Sequence, residues 1–179
     1  SQIYATIALG RIGNNTQSLG ALIAFLVTND LLNQRLVQNY PLAVGRIKMQ
    51  DLAGAAFLTT VLEGELRSEH LSDAGQAFCE SYFGSETEHQ VHAQAAKQCE
   101  DDWRFYDDVS PVLTSLFEED LAAIEERAFA ESLAGLRELH PGVVIEEDVV
   151  KGPSVRAILD ASDDPALIVL GTRGRGEFL

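Results

Sequence analysis

Five consecutive apolar residues, Ala166-Leu167-Ile168-Val169-Leu170, run straight into Gly171-Thr172-Arg173-Gly174-Arg175-Gly176. A strand without polar alternation belongs in the buried interior of a parallel sheet. A glycine-rich turn at its carboxyl end is where open α/β sheets bind ligands. Upstream, Val143–Val150 is a second β-rich run, and Ser154–Ala161 reads as a short helix with Val155, Ile158 and Leu159 inward. Strand, helix, strand and glycine loop make a βαβ unit, whose crossover is right-handed. The expected fold is therefore α/β, a parallel-sheet βαβ unit at the C-terminus beside a large helical N-terminal and middle portion. Two strands alone do not make a stable sheet. Ile3–Leu9 and Leu42–Ile47 are candidates for two more, or a second chain supplies them.

Most of the remaining chain reads as helix. Asn15 or Thr16 caps a helix over Gln17–Gln38, where Leu19, Leu22, Ile23, Leu26 and Val27 recur at helical spacing. It ends at Asn39-Tyr40-Pro41, because the residue before proline avoids the α region. Leu42–Ile47 is open between strand and helix start. Asp51 is placed to cap a helix over Leu52–Leu66, and Ser72-Asp73 opens another that Gly84-Ser85 breaks. Glu86–Phe105 reads as a polar helix, Tyr106–Ser110 as a turn, and Pro111 as a first helical position. A helix over Leu116–Leu139, with Leu121, Ile124 and Ala128 on its apolar side, stops at His140-Pro141-Gly142. The expected organisation is a mainly helical region over 1–115, whose residues 1–49 are the source of any extra strands, and an α/β unit over 116–179.

Charge narrows the function classes. The net charge of −15 resides in the middle of the chain. Residues 1–65 carry four bases and four acids, residues 66–148 five bases and twenty acids, and residues 149–179 four of each. Such a surface repels nucleic-acid phosphates and anionic membranes, so neither is an expected partner. The longest apolar run, Leu19–Val27, is far short of the ~18 residues that a membrane span needs. No basic flank precedes an apolar stretch at the N-terminus, so no signal peptide is expected. Two cysteines, Cys79 and Cys99, are too few for a disulfide framework and point to a reducing, cytoplasmic location.

Three constellations could carry chemistry. In the glycine loop, backbone N–H groups can cradle an anion, and Arg173 and Arg175 can add bidentate donors to phosphate. The alternative is a tight turn with two solvated arginines. In the acidic helix, His89 and His92 lie one turn apart with Cys99 two turns further on. They are weak metal candidates, since structural zinc takes four ligands and these do not form a recognised spacing, so no metal site is expected. In Asp101-Asp102-Trp103-Arg104-Phe105-Tyr106-Asp107-Asp108, aromatics between carboxylates are either a binding surface or, the reading favoured here, core anchors with charged flanks. No Ser/His/Asp or Cys/His arrangement has a motif around it.

The stretch Leu133-Ala134-Gly135-Leu136-Arg137-Glu138-Leu139-His140-Pro141-Gly142-Val143, followed by Glu146–Gly152, Ala157–Ser162 and Leu167–Gly176, resembles the C-terminal half of a universal stress protein. The resemblance covers about residues 118–179. It implies a Rossmann-like α/β unit and binding of ATP or another adenine nucleotide, with Gly171, Arg173, Gly174 and Arg175 near the phosphates and Gly152 near the base. ATP-binding members carry Gly-x-x-Gly, nine residues, then Gly and Ser or Thr. Gly171 and Gly174 match the first pair, and the second part would fall beyond Leu179. The family's first strand ends with an Asp, and Ile7-Ala8-Leu9-Gly10-Arg11 has none.

Two functions are therefore expected in competition. One is a non-enzymatic, nucleotide-binding stress-response or signalling protein. The other is a helical protein–protein interaction module, in which the α/β segment is scaffold and the acidic helices bind a partner. The apolar strands leave an open parallel edge, which a second copy, as a homodimer, or a protein partner would complete.

Overall fold

At the centre lies α1 (Asn14–Thr28), a helix without a single charged residue. Leu19 and every residue from Ala21 to Val27 are buried. A helix that is apolar all round can only be stable when surrounded. The computed structural model describes residues 1–7, 14–95 and 101–144. The chain divides into two compact units, Ser1–Arg127 and Ala128–Leu179.

Within the first unit, α1 ends where Thr28 and Asn29 turn their side chains back onto the carbonyls of Ala24 and Phe25. A short helix, α2 (Gln34–Asn39), follows, capped by Asn33, whose side chain accepts from the Arg35 N–H. Next comes α3 (Pro41–Lys48), with proline in its first turn. The helix α4 (Gly54–Thr60) packs across α1 with Phe57 and Leu58 fully buried. The chain then enters the short strand β2 (Glu65–Arg67), which pairs antiparallel with β1 (Ile3–Thr6). The register sets Ile3 opposite Arg67 and Thr6 opposite Glu65, with an irregularity between Ile3 and Ala5. A 3₁₀ turn at Ser68–His70 leads to α5 (Asp73–Tyr82), capped by the Ser72 hydroxyl, which accepts from the Gly75 N–H. After Gly84, α6 (Glu86–Ala95) begins. There the Ser85 hydroxyl accepts from the Glu88 N–H while the Glu88 carboxylate accepts from the Gly84 N–H. This reciprocal arrangement satisfies two donors that a helix start leaves free.

The last helix, α7 (Asp102–Leu139), runs straight through Pro111. A proline removes one helical hydrogen bond, at Asp107. The freed Asp107 carbonyl accepts from the Ser110 hydroxyl. Burial of Phe105, Val109 and Leu113 on either side of the proline holds the helix together. Aromatic rings tie the unit's centre. Phe25 and Phe78 lie 5.0 Å apart between centroids, and Phe117 meets both edge-on. Each fully buried ring contributes about 1.5–3 kcal/mol of transfer free energy. In the second unit the described residues are the end of α7 and a turn, in which the Val143 N–H donates to the His140 carbonyl.

The expected α/β architecture is corrected. The described fold is helical with one two-stranded antiparallel sheet, and no parallel strand pair occurs among the described residues. Leu42–Ile47 is helix, not strand. Pro41 starts it, and Val44 and Ile47, three apart, are the residues that face the core, while Leu42 is 83% exposed. Ile3–Thr6 is a strand, but its partner is Glu65–Arg67 rather than a parallel neighbour. The helix expected over Leu52–Leu66 stops at Thr60, because Glu63 and Gly64 take positive φ values of 54° and 84°. The strand expected at Val143–Val150 opens as a turn at Val143, and its residues 145–150 lie outside the described residues. The run 166–170 and the helix at 154–161 also lie outside them, as does the open parallel edge on which the dimer expectation rested.

Candidate functional site

The Leu62–Glu65 turn sets up a polar site in the first unit. The Glu65 N–H donates to the Leu62 carbonyl, and two consecutive residues with positive φ between them are what a type I′ turn requires. Gly64 adopts this conformation freely. Glu63 does not, and holding a non-glycine residue there costs about 1 kcal/mol. The turn, β2 and the 3₁₀ turn together form one wall of a cleft of about 360 Å³. The other wall is Leu36 and Tyr40, at the end of α2. A backbone bond from the Asn33 N–H to the His70 carbonyl and the Leu32–Leu71 bridge fix the two walls to each other.

Period-2 alternation in β2 sends Leu66 into the core, fully buried, and Glu65 and Arg67 to the cleft side. The Arg67 guanidinium donates through Nε and Nη2 to one oxygen of Glu65, Oε2, and lies 3.7 Å from Glu69. These carboxylates, the Glu65 hydrogen bond first, hold Arg67 charged. Its backbone N–H donates to His70 Nδ1 at 3.2 Å, so the neutral ring carries its proton on Nε2. Burial, outweighing the attraction of Glu69, pushes the His70 pKa below 6.5. His70 is therefore neutral at pH 7. Glu63 also lines this cleft, exposed, its charge felt by Arg67 and His70, and forms no ion pair with a described residue.

A second acidic surface lies on α7. Asp102, Asp107, Asp108, Glu118, Glu119, Glu125 and Glu126 are exposed, against two exposed bases, Arg104 and Arg127, over the same stretch. Asp102 accepts from the Gln17 side chain at 3.3 Å. None of the other six acids forms an ion pair with a described residue. Among them stand two exposed apolar residues, Leu121 at 39% and Ile124 at 46%.

The residues singled out in the sequence fall as follows. Gly152, Gly171, Arg173, Gly174 and Arg175 lie outside the described residues, as does Cys99. His89 is exposed on α6, whereas His92 is half-buried with Nε2 3.5 Å from Glu88. Among the described residues no three His, Cys, Asp or Glu side chains are placed to hold a metal ion. Cys79 is buried, and that burial pushes its thiol up to about 12. Phe105 is a core anchor, while Trp103 and Tyr106 are half-buried and meet edge-on; the Tyr106 hydroxyl lies 2.9 Å from that of Thr28. Thus the aromatics of 101–108 anchor the helix and its carboxylates face solvent. Among the described residues no helix is long and apolar enough to cross a membrane.

The cleft escaped the sequence reading because its walls come from separate segments. The one local signal was Glu63-Gly64, a turn dipeptide inside what reads as a continuing helix.

Comparison with known proteins agrees with two separate parts. Universal stress protein Rv2623 of Mycobacterium tuberculosis strain H37Rv and Universal stress protein MT2698 of strain CDC 1551 are each 38% identical to this chain over 56 residues. That stretch is 31% of this chain and 19% of each relative, so the chain spans about a fifth of the length of those proteins. A segment of the chain is thus similar to universal stress proteins. No solved structure matches. A family model described as a domain of unknown function, DUF7832, matches residues 11–107, more than half of the chain and most of the helical unit just described. The chain belongs to the DUF7832 family.

Proposed function

We propose that the chain is a non-catalytic protein-interaction module whose helical unit engages a basic surface of a protein partner. The observation that carries this reading is the exposed face of α7, where six carboxylates with no ion pair to a described residue share the helix surface with Leu121 and Ile124. Uncompensated like charge gathered on one surface repels itself. A basic partner would relieve that repulsion, and an apolar centre with a charged rim is the usual anatomy of an interface. The test is fluorescence anisotropy of a labelled, arginine-rich peptide against the full chain. Lysine substitutions at Asp107, Asp108, Glu118 and Glu119 should weaken binding at least tenfold, and the binding should weaken with rising salt. Equal affinity for the charge-reversed variant would reject the reading.

The universal-stress-protein likeness supports a second reading. In it the C-terminal residues bind ATP or another adenine nucleotide, with Gly171, Arg173, Gly174 and Arg175 toward the phosphates and Gly152 toward the base. Calorimetric titration of the full chain with ATP tests it. Saturable heat, lost in an Arg173→Ala, Arg175→Ala double variant, would support it. Absence of heat at millimolar ATP would leave the interaction reading alone.

A further inference from the structure

The cleft beside the Leu62–Glu65 turn holds more carboxylate than it neutralises. Glu63, Glu65 and Glu69 bring three negative charges to it, and Arg67 returns one. His70 adds none at pH 7, since burial keeps it neutral. A charge of −2 is left over. Arg67 is engaged with Glu65 and leans toward Glu69, which leaves Glu63 as the carboxylate that forms no ion pair with a described residue. Glu63 is held there in a backbone conformation that asparagine or glycine would accept more readily.

The rest of the lining is apolar. Leu36 and Val61 are half-buried, and Tyr40 shows 44% of its surface. Directly after Tyr40, α3 exposes Leu42 at 83%, and Met49, the residue that caps its end seven positions on, is 80% exposed. Positions seven apart share one helix face, so this is an apolar shoulder leading away from the cleft.

We propose that this cleft is the anchor pocket for an arginine side chain of a protein partner, with the partner's apolar neighbours resting on Tyr40 and Leu42. Arginine suits it better than lysine. Its planar fork can span Glu63 and Glu69, its methylene stem can lie along Leu36 and Val61, and its face can stack on Tyr40. A free polyamine would satisfy the carboxylates equally but would gain nothing from the shoulder. The pocket rests on the interaction reading above and gives it a point of attachment distinct from α7.

The test is a nitrogen-15 NMR titration of the full chain with three probes. They are a capped pentapeptide with one central arginine flanked by leucines, the same peptide with neutral citrulline in place of arginine, and spermidine. The arginine peptide should shift the amides of residues 62–70 saturably. Citrulline, or the Glu63→Asn variant, which keeps the turn, should weaken binding about tenfold. Leu42→Ser should weaken the peptide several-fold and leave spermidine unchanged. Citrulline binding as well as arginine, or no saturable shift at 62–70, would overturn the pocket. Spermidine binding as tightly as the peptide, with Leu42→Ser silent, would overturn the protein partner in favour of a small cation. If the α7 charge reversal abolishes peptide binding while Glu63→Asn changes nothing, the interaction reading stands and the pocket falls. If neither variant matters, both fall.

Discussion

Replacing Gly54 by alanine should destabilise the first unit by about 3 kcal/mol, although alanine is the better helix former. Gly54 opens α4 where that helix crosses α1. A Cβ at this position would lie about 1 Å inside the 3.0 Å limit that real Cβ contacts respect, directly against the Gly20 carbonyl oxygen. The obstacle is backbone, so no rotamer change relieves it. Gly20 mirrors the constraint, since its own Cβ would meet the Ala55 nitrogen at 2.9 Å. The two helices must therefore part by on the order of 1 Å, which forfeits a quarter to a half of the dispersion energy of each contact they share. Phe57 and Leu58, both fully buried on α4, bear most of that loss. Gly45 is the matched control, because nothing lies within 4 Å of its Cβ on α3. Gly45→Ala should stabilise by about 0.5–1 kcal/mol. The chain has a single tryptophan, Trp103, within the first unit, so its fluorescence in urea reports that unit. A loss of about 3 kcal/mol moves the midpoint by roughly 1–2 M. A Gly54→Ala midpoint within experimental error of the parent, or an equal loss in Gly45→Ala, would refute the close-crossing argument.

Other outcomes follow from buried groups and turns. In a Cys99→Ser background, Cys79 should resist iodoacetamide in the folded protein and react at the ordinary thiol rate in denaturant, because alkylation needs the thiolate and burial pushes its pKa to about 12. Stability should fall as pH rises above 9: the unfolded thiol ionises from 9.0 while the native one stays protonated toward 12, so the native state holds the extra proton across that window. Tyr82, also raised mainly by burial, acts in the same direction from pH 10 upward, and Cys79→Ala should flatten the urea-midpoint profile between pH 9 and 10.5. Gly64→Ala should cost about 1–2 kcal/mol from its positive φ alone, whereas Glu63→Asn should be neutral or slightly stabilising in the same urea assay.

Local signals read correctly where one short segment decides the structure. Ser72-Asp73 opening α5, Gly84-Ser85 breaking that helix and His140-Pro141-Gly142 ending α7 are of this kind. Signals failed where distant packing decides. Leu42–Ile47 stays open between strand and helix start in the sequence, and packing decides for helix, since only two of its residues find core, three positions apart. Pro111 reads as a helix start, yet Val109 and Leu113 bury on both sides of it and carry the helix through. The strand β2 is three residues long and depends on β1 some sixty residues away, a pairing that no local window contains. The acidity of α7 was legible as charge, but that its carboxylates stay exposed around Leu121 and Ile124 was not, since periodicity placed both apolar residues inward.

Hydrogen–deuterium exchange of the full chain, alone and with the arginine-rich peptide or ATP, tests the central claim most directly. The account predicts that the peptide slows exchange in two segments of the helical unit, residues 62–70 and 107–126, and that ATP leaves both unchanged. Peptide at saturating concentration with no protection in either segment would contradict it.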